Sequence, residues 1–397
     1  MKINKKLVLL LMVAFLVSIV AGCGGAATKT ETEKTPAPAK EPIKIGLNVE
    51  LSGGVASYGT NCRNGIVMAF DEINKAGGVN GRKIEYIVMD CKSDAAEATN
   101  VAARLVQKQV VALIGPLVTG SVLGATPIAT QNKIPLVAPA ATALPATVDE
   151  ETGKTKEFVF RTCFLDPFQG GLMGNYAADT LKAKKAAILM DTSTDYAKGL
   201  AQAFKESFTK KGGTIVAEEG FVKGDKDFKS TLTKIKNKAP DVVYVPGYYN
   251  ETGLIAKQAR ELGITVPLLG GDGWDSADLV NIAGAKALNH TFFTNHYSPQ
   301  DNDPKVVKFV QAYKAAYKTT PDAFAALGYD SAYLVADAIK RAGSTDGVKI
   351  KDALAATTNF TGVTGTFSMD QYHNPVKSAV LIEMVDGKQV VRTKIKP

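Results

Sequence analysis

Apolar positions along the chain follow two periods that take turns. Short runs in which nearly every residue is apolar, at 43–49, 84–89, 110–114 and 134–138, predict strands buried on both faces. Between them, apolar residues recur every three or four positions. Ile66, Phe70 and Ile73 do so ahead of a Gly77-Gly78 stop, and Ala98, Val101, Ala102 and Leu105 do so within 95–107. This alternation predicts a parallel, doubly wound sheet. An extended segment at 158–162 then leads to Leu165-Asp166-Pro167, which reads as a passage between lobes. The alternation restarts with helices at 168–181, 197–210 and 252–262, strands at 186–190, 214–219 and 241–245, and a helix carrying Phe228, Leu232 and Ile235. Helices at 304–318 and 324–341 are expected to return to the first lobe. Segments 378–384 and 390–393 alternate like antiparallel strands around an Asp386-Gly387 turn and would complete the second. The expected architecture is α/β: two Rossmann-like, doubly wound lobes, 43–164 plus 296–367 and 165–295 plus 368–397, joined by a three-crossing hinge.

In such sheets, ligands bind where strands end in turns. The stretch from Val110 to Ser121 has that form: an apolar run, a Gly115-Pro116 turn, then Thr119-Gly120-Ser121 where a helix should begin, with Ser121 able to cap it. Backbone N–H groups at a helix start favour an anion, and the Thr119 hydroxyl adds a donor. A ligand carboxylate suits this place, although an ordinary capped turn would have the same sequence. A second polar turn, Ala140-Ala141-Thr142, follows the strand at 134–138.

The chain has 397 residues, more than one typical core needs, and its formal charge is +8. Part of that charge lies in Lys2, Lys5 and Lys6, ahead of an apolar run at 7–21 with the proportions of a signal peptide (1–22). The run ends in Val20-Ala21-Gly22-Cys23, which resembles a bacterial lipobox and makes Cys23 the expected lipidation site. Residues 24–42, rich in Ala, Thr, Lys, Glu and Pro, read as a tether. The body is thus expected outside the cytoplasm, lipid-anchored to the membrane. Its remaining basic residues are interspersed with acidic ones, unlike a nucleic-acid footprint. In an oxidising compartment Cys62 and Cys91 could pair; two buried free thiols are the alternative, and Cys163 is left as a small apolar residue.

Several segments, taken in order, carry a resemblance. They are Leu51-Ser52-Gly53-Gly54-Val55-Ala56-Ser57-Tyr58-Gly59, Asp71-Glu72-Ile73-Asn74, Pro139-Ala140-Ala141-Thr142, Gly247-Tyr248-Tyr249-Asn250-Glu251, Gln258-Ala259-Arg260 and Gly271-Asp272-Gly273. From Ile43 onward the chain resembles the type I periplasmic solute-binding proteins, in particular the branched-chain amino acid binding family of ABC importers. The resemblance implies an amino acid held between the lobes. Thr119 and Thr142 match hydroxyls that hold the α-carboxylate and α-ammonium, and Ala140 matches a carbonyl contact to the ammonium, with Ala141 beside it. Tyr248 and Asp272 match an aromatic ring and a carboxylate facing the ammonium from the second lobe. Tyr58, Tyr196 and Tyr329 match aromatic residues of the side-chain pocket or its closure, with Val118 also on the wall. Family members often carry Glu at the Asp272 position. They also pair a Cys at the Val118 position with one near Ser93, a bridge this sequence lacks; a Cys62–Cys91 bridge would substitute for it.

An enzyme on a Rossmann-like sheet is the competing class. It needs a glycine fingerprint after the first strand, where Asn48-Val49-Glu50-Leu51-Ser52-Gly53-Gly54 stands instead; no P-loop or G-x-S-x-G elbow occurs. No metal-ligand spacing is present, and no cofactor is expected. The expected ligand is a free L-amino acid, leucine, isoleucine or valine, delivered by a monomer to the permease of an ABC importer. Another small or an aromatic amino acid, or a ligand-sensing lipoprotein, is the alternative.

Overall fold

The computed structural model describes residues 41–396; the leader, Cys23 and most of the tether lie outside them. In the first half of the chain, strands and helices alternate: β1 (Ile43–Val49), α1 (Ala56–Lys75), β2 (Ile84–Asp90), α2 (Ala95–Gln107), β3 (Ala112–Ile114), α3 (Thr119–Gln131), β4 (Leu136–Ala138) and β5 (Val159–Arg161). The strands form one parallel sheet in the order β2-β1-β3-β4-β5. Alternate side chains leave opposite faces of a strand, and both faces of this sheet are covered. Ile45, Leu47 and Ile114 pack with Ile66 and Phe70 of α1. Leu113, Leu136 and Ala138 pack with Val101, Leu105 and Val122 of α2 and α3.

The second half repeats the plan: α4 (Asp166–Asn175), β6 (Lys185–Asp191), α5 (Asp195–Lys210), β7 (Thr214–Phe221), α6 (Lys229–Asn237), β8 (Val242–Tyr244), α7 (Tyr249–Glu261), β9 (Leu268–Gly270), α8 (Ala277–Ala283) and β10 (Thr291–Asn295). The chain then returns to the first sheet through α9 (Pro304–Tyr317), α10 (Ala323–Ala342), α11 (Gly347–Ala355) and the ribbon β11 (Phe360–Gly362) and β12 (Gly365–Phe367). It ends in β13 (Ala379–Val385) and β14 (Lys388–Ile395). These two strands add antiparallel to a second sheet ordered β14-β13-β10-β9-β8-β6-β7. The chain therefore passes between the sheets three times: after β5, after β10 and after β12.

Where α1 crosses its neighbours there is no space for side chains. A Cβ on Gly59 would lie 1.9 Å from the Glu50 carbonyl, and one on Gly65 would lie 2.0 Å from that of Ala325 in α10. This close seating brings Tyr58 to the gap between the two halves.

The passages are tied by buried polar groups. Lys377, after β12, donates to the Thr162 carbonyl at 3.0 Å and to the Thr364 hydroxyl. Asp330 of α10 accepts from the amides of Val363 (2.7 Å) and Thr364 (2.9 Å) and from the Thr364 hydroxyl (2.6 Å). Burial pushes the Lys377 ammonium down to about 8.

Three expectations need correction. Cys62 and Cys91 are free, buried thiols, as is Cys163. Cys62, on α1, belongs to the cluster on one face of the first sheet. Cys91, just past β2, belongs to the α2–α3 cluster on the other. The sheet separates them, so no bridge substitutes for the missing family disulfide. The helix after β3 also starts at Thr119, with Val118 as its N-cap and no capping side chain. Ser121 is in the first turn, not at the cap. The single helix expected at 168–181 is instead α4 followed by a π turn over Tyr176–Thr180.

Candidate ligand-binding site

The carboxyl ends of β3 and β4 face those of β8 and β9 across the gap between the sheets. The first-sheet side begins with Glu50, which is fully buried after β1. Its carboxylate accepts from the amides of Leu117 (3.2 and 3.1 Å) and Val118 (3.3 Å). Burial pushes this acid up to about 7, against the pull of those two amides and the Ser121 side chain. Glu50 thereby engages the loop amides ahead of α3. The next N–H groups, those of Thr119, Gly120 and Ser121, have neither a helical acceptor nor a capping side chain. The Thr119 hydroxyl is buried and has no hydrogen-bond partner; the buried Thr142 hydroxyl, after β4, faces the Asp166 carboxyl. An unpaired buried hydroxyl is costly and uncommon. That Thr119, a predicted donor, is one marks a place built for a further polar group. The Ala141 carbonyl is already engaged, accepting from Arg161 Nη1 at 2.6 Å. Ala140 stands between it and the β4 end, packed in the main core.

On the second-sheet side, Asp272 follows β9 and is buried. Its Oδ1 accepts from Gln169 Nε2 at 2.9 Å and from the Tyr196 hydroxyl at 2.8 Å; its Oδ2 is 2.9 Å from His296 Nε2. Gln169 has no spare capacity. Its Nε2 also donates to Asp166 Oδ1 (3.0 Å), and its Oε1 accepts from the Asp272 amide (3.1 Å) and the Thr294 hydroxyl (2.7 Å). Burial, reinforced by the Asp272 charge and opposed by the Thr142 hydroxyl and Gln169, pushes the Asp166 carboxyl up to about 8.

Aromatic rings line the gap. Tyr58 stacks on Phe324 with centroids 3.9 Å apart and meets Tyr248 edge-on at 6.0 Å; Tyr248 stacks on Tyr196 at 5.0 Å. The Tyr58 hydroxyl donates to the Gly273 carbonyl and accepts from the Tyr249 amide at 3.2 Å. One first-sheet side chain thus touches the turns after both β8 and β9. Further bonds cross the gap. Ser57 and Ser276 hydroxyls are 3.0 Å apart, Asn250 Nδ2 donates to the Gly54 carbonyl at 2.6 Å, and Lys223 Nζ donates to the Ser93 carbonyl at 2.9 Å.

The predicted site residues Tyr58, Val118, Thr119, Ala140, Ala141, Thr142, Tyr196, Tyr248 and Asp272 all lie on the elements and turns facing this gap. Tyr329 does not. It points to the far side of α10, where its hydroxyl donates to Glu72 Oε2 at 2.7 Å beside Tyr333. The aromatic residue of α10 that reaches the gap is Phe324, at the first turn of that helix and five residues earlier. Glu50, Asp166, Gln169 and His296 were not singled out from the sequence. Leu165-Asp166-Pro167 reads as a passage between lobes, and an isolated histidine carries no motif.

Two sheets linked by three strands of chain, with paired polar turns between their strand ends, define a two-lobed ligand-binding protein. A family model for periplasmic binding proteins matches residues 42–389, and the chain belongs to that family. A leucine-, isoleucine-, valine-, threonine- and alanine-binding protein of Pseudomonas aeruginosa is 32% identical over 333 residues, 84% of this chain and 87% of the relative. Among solved structures, the branched-chain amino acid transporter substrate-binding protein LivJ of Streptococcus pneumoniae, in complex with isoleucine, is 43% identical with a TM-score of 0.84. The match covers 90% of this chain and 100% of that one. The leucine-binding protein LivK of Thermotoga maritima is 37% identical with a TM-score of 0.84, covering 89% and 99%.

Proposed function

We propose that this protein binds a branched-chain amino acid between its two lobes and delivers it to the permease of an ABC importer. The observation that carries this is the polarity of the site. Unengaged amides and the unpaired Thr119 hydroxyl at the start of α3 suit a carboxylate. Opposite them, the Asp272 carboxylate suits an ammonium. The aromatic row between the two carries no charge to pair with a ligand side chain. The isoleucine of the LivJ complex, and the leucine for which LivK is named, fit the same polarity. An aliphatic side chain should be selected only modestly by size, since one methylene in an apolar pocket is worth about 1–3 kcal/mol.

In this reading the lobes are 43–164 plus 296–367 and 165–295 plus 368–397, and they close about the three passages. A ligand touching both lobes favours closure by its differential affinity. Cys23 anchors the body, as a monomer, to the outer face of the membrane. Calorimetric titration with the twenty amino acids tests the ligand: leucine, isoleucine and valine should give saturable heat, and lysine and glutamate none. Saturation by a charged side chain instead would overturn the assignment. Solution scattering should show a smaller radius of gyration at saturation.

A further inference from the structure

Resting on the amino-acid reading above, we propose that His296 is the positioning residue for the ligand ammonium: its imidazole holds the short Asp272 carboxylate in place, and a proton on it competes with the ligand. The imidazole packs face-on against Phe164, centroids 3.7 Å apart, with its side chain wholly buried. Its Nε2 is 2.9 Å from Asp272 Oδ2, while its Nδ1 is buried without a partner. A carboxylate accepts, so Nε2 carries the hydrogen and the bare Nδ1 is where a second proton would add. His296 also begins the passage after β10, so it joins the ligand carboxylate to the chain on which the lobes turn.

The charged groups around the ring are Asp272 and Asp275 on the turn after β9, and Lys377 on the passage after β12. Desolvation by burial lowers the affinity of His296 for a second proton; Asp272 opposes that most strongly, and Lys377 reinforces it. At neutral pH the ring is therefore an uncharged donor, and Asp272 keeps its charge for the ammonium. When Nδ1 is protonated, the imidazolium itself pairs with Asp272. An arriving ammonium then meets a neutralised partner and a like charge. The sign follows: protonation favours the empty site, so affinity falls as pH drops below the ordinary histidine range of about 6.5.

The experiment is calorimetric titration of the full chain with isoleucine at pH 7 and pH 5, for the parent protein, H296Q and H296F. The parent should lose about threefold or more in affinity between the two pH values, since one competing proton costs up to tenfold per pH unit below its own pKa and burial sets that below the ordinary value of about 6.5. H296Q retains an N–H donor but cannot take up a proton. It should bind more weakly than the parent at pH 7 by less than about tenfold, and its affinity should change less than about threefold by pH 5. H296F removes the donor and should bind about tenfold or more weaker at both. Glu50 and Asp166 are present in all three proteins, so the difference between slopes isolates the imidazole. Equal slopes in the parent and H296Q would overturn the proposal, as would a parent with no slope. If isoleucine gives no heat with the parent at pH 7, the amino-acid reading itself has failed, which is a separate result. Circular dichroism of each variant distinguishes lost binding from lost fold; should both variants unfold, the proton count of binding to the parent decides, with net uptake on release at pH 6 expected and none contradicting.

Discussion

At the residue scale, the two neighbouring acids of the Gly271–Ser276 turn have different work. Asp272 faces the gap, whereas Asp275 is an internal tie. It accepts from Asn295 Nδ2 (2.9 Å), the Ala323 amide (2.8 Å) and Gln389 Nε2 (2.6 Å), joining β10, α10 and the β14 strand. D272A should abolish most ligand binding with a folded protein. D275A strands two buried donors and one half-buried one and should lower the unfolding free energy by about 2–4 kcal/mol, seen as a fall in Tm. Turn composition alone does not separate the two, because a carboxylate in a glycine-rich turn is read the same way whichever face it takes; the match of Gly271-Asp272-Gly273 to the family motif is what singles out Asp272. A similar contrast holds among the tyrosines. Y58F removes a hydroxyl bonded to both turns of the opposite lobe and should weaken ligand binding about tenfold, the cost of one or two buried hydrogen bonds. Y329F should leave affinity unchanged, since that hydroxyl is bonded to Glu72 on the other side of the molecule.

At the scale of elements, most of the strand and helix plan was legible. Strands buried on both faces have no polar alternation to confuse them with anything else, and glycines end the helices. The polar turns Leu117–Ser121, Ala140–Thr142 and Gly271–Gly273 also fell at strand ends, as read. Pairwise packing was less visible. Spacing could not tell which side of the first sheet a cysteine takes, so Cys62 and Cys91 looked adjacent. Nor could it tell which aromatic residue of α10 turns to the gap, because Phe324 and Tyr329 are five positions apart on a helix buried nearly all round. Asp166, Gln169 and His296 form one cluster with Asp272 only because two passages of the chain and the turn after β9 converge there, and a linear pattern does not carry that convergence.

For the whole molecule, the buried acids make an unusual pH profile. Glu50 is pushed up to about 7 and Asp166 to about 8, both by burial. A raised acid holds a proton in the folded state that the unfolded chain releases. Its stabilising contribution is complete below the unfolded value of about 4 and is lost as pH rises through the folded one. Unliganded protein should therefore gain Tm as pH is lowered from about 8 to about 6.5, below the range in which the depressed Lys377 ammonium acts the other way. E50Q should flatten the lower part of that gain and D166N the upper part. A Tm that falls over the same range in the parent would show both acids to be ionised in the fold.

In the proposed function, one site recognises both poles of an α-amino acid, each from a different lobe. The most direct measurement titrates the protein with isoleucine and with two analogues, 3-methylpentanoate, which lacks the ammonium, and 2-methylbutylamine, which lacks the carboxylate. Each deletion leaves a buried group on one lobe unanswered. Both analogues should bind at least about a hundredfold more weakly than isoleucine, the scale of losing a charge-assisted contact at a buried site. Either analogue binding as tightly as isoleucine would contradict the two-pole site.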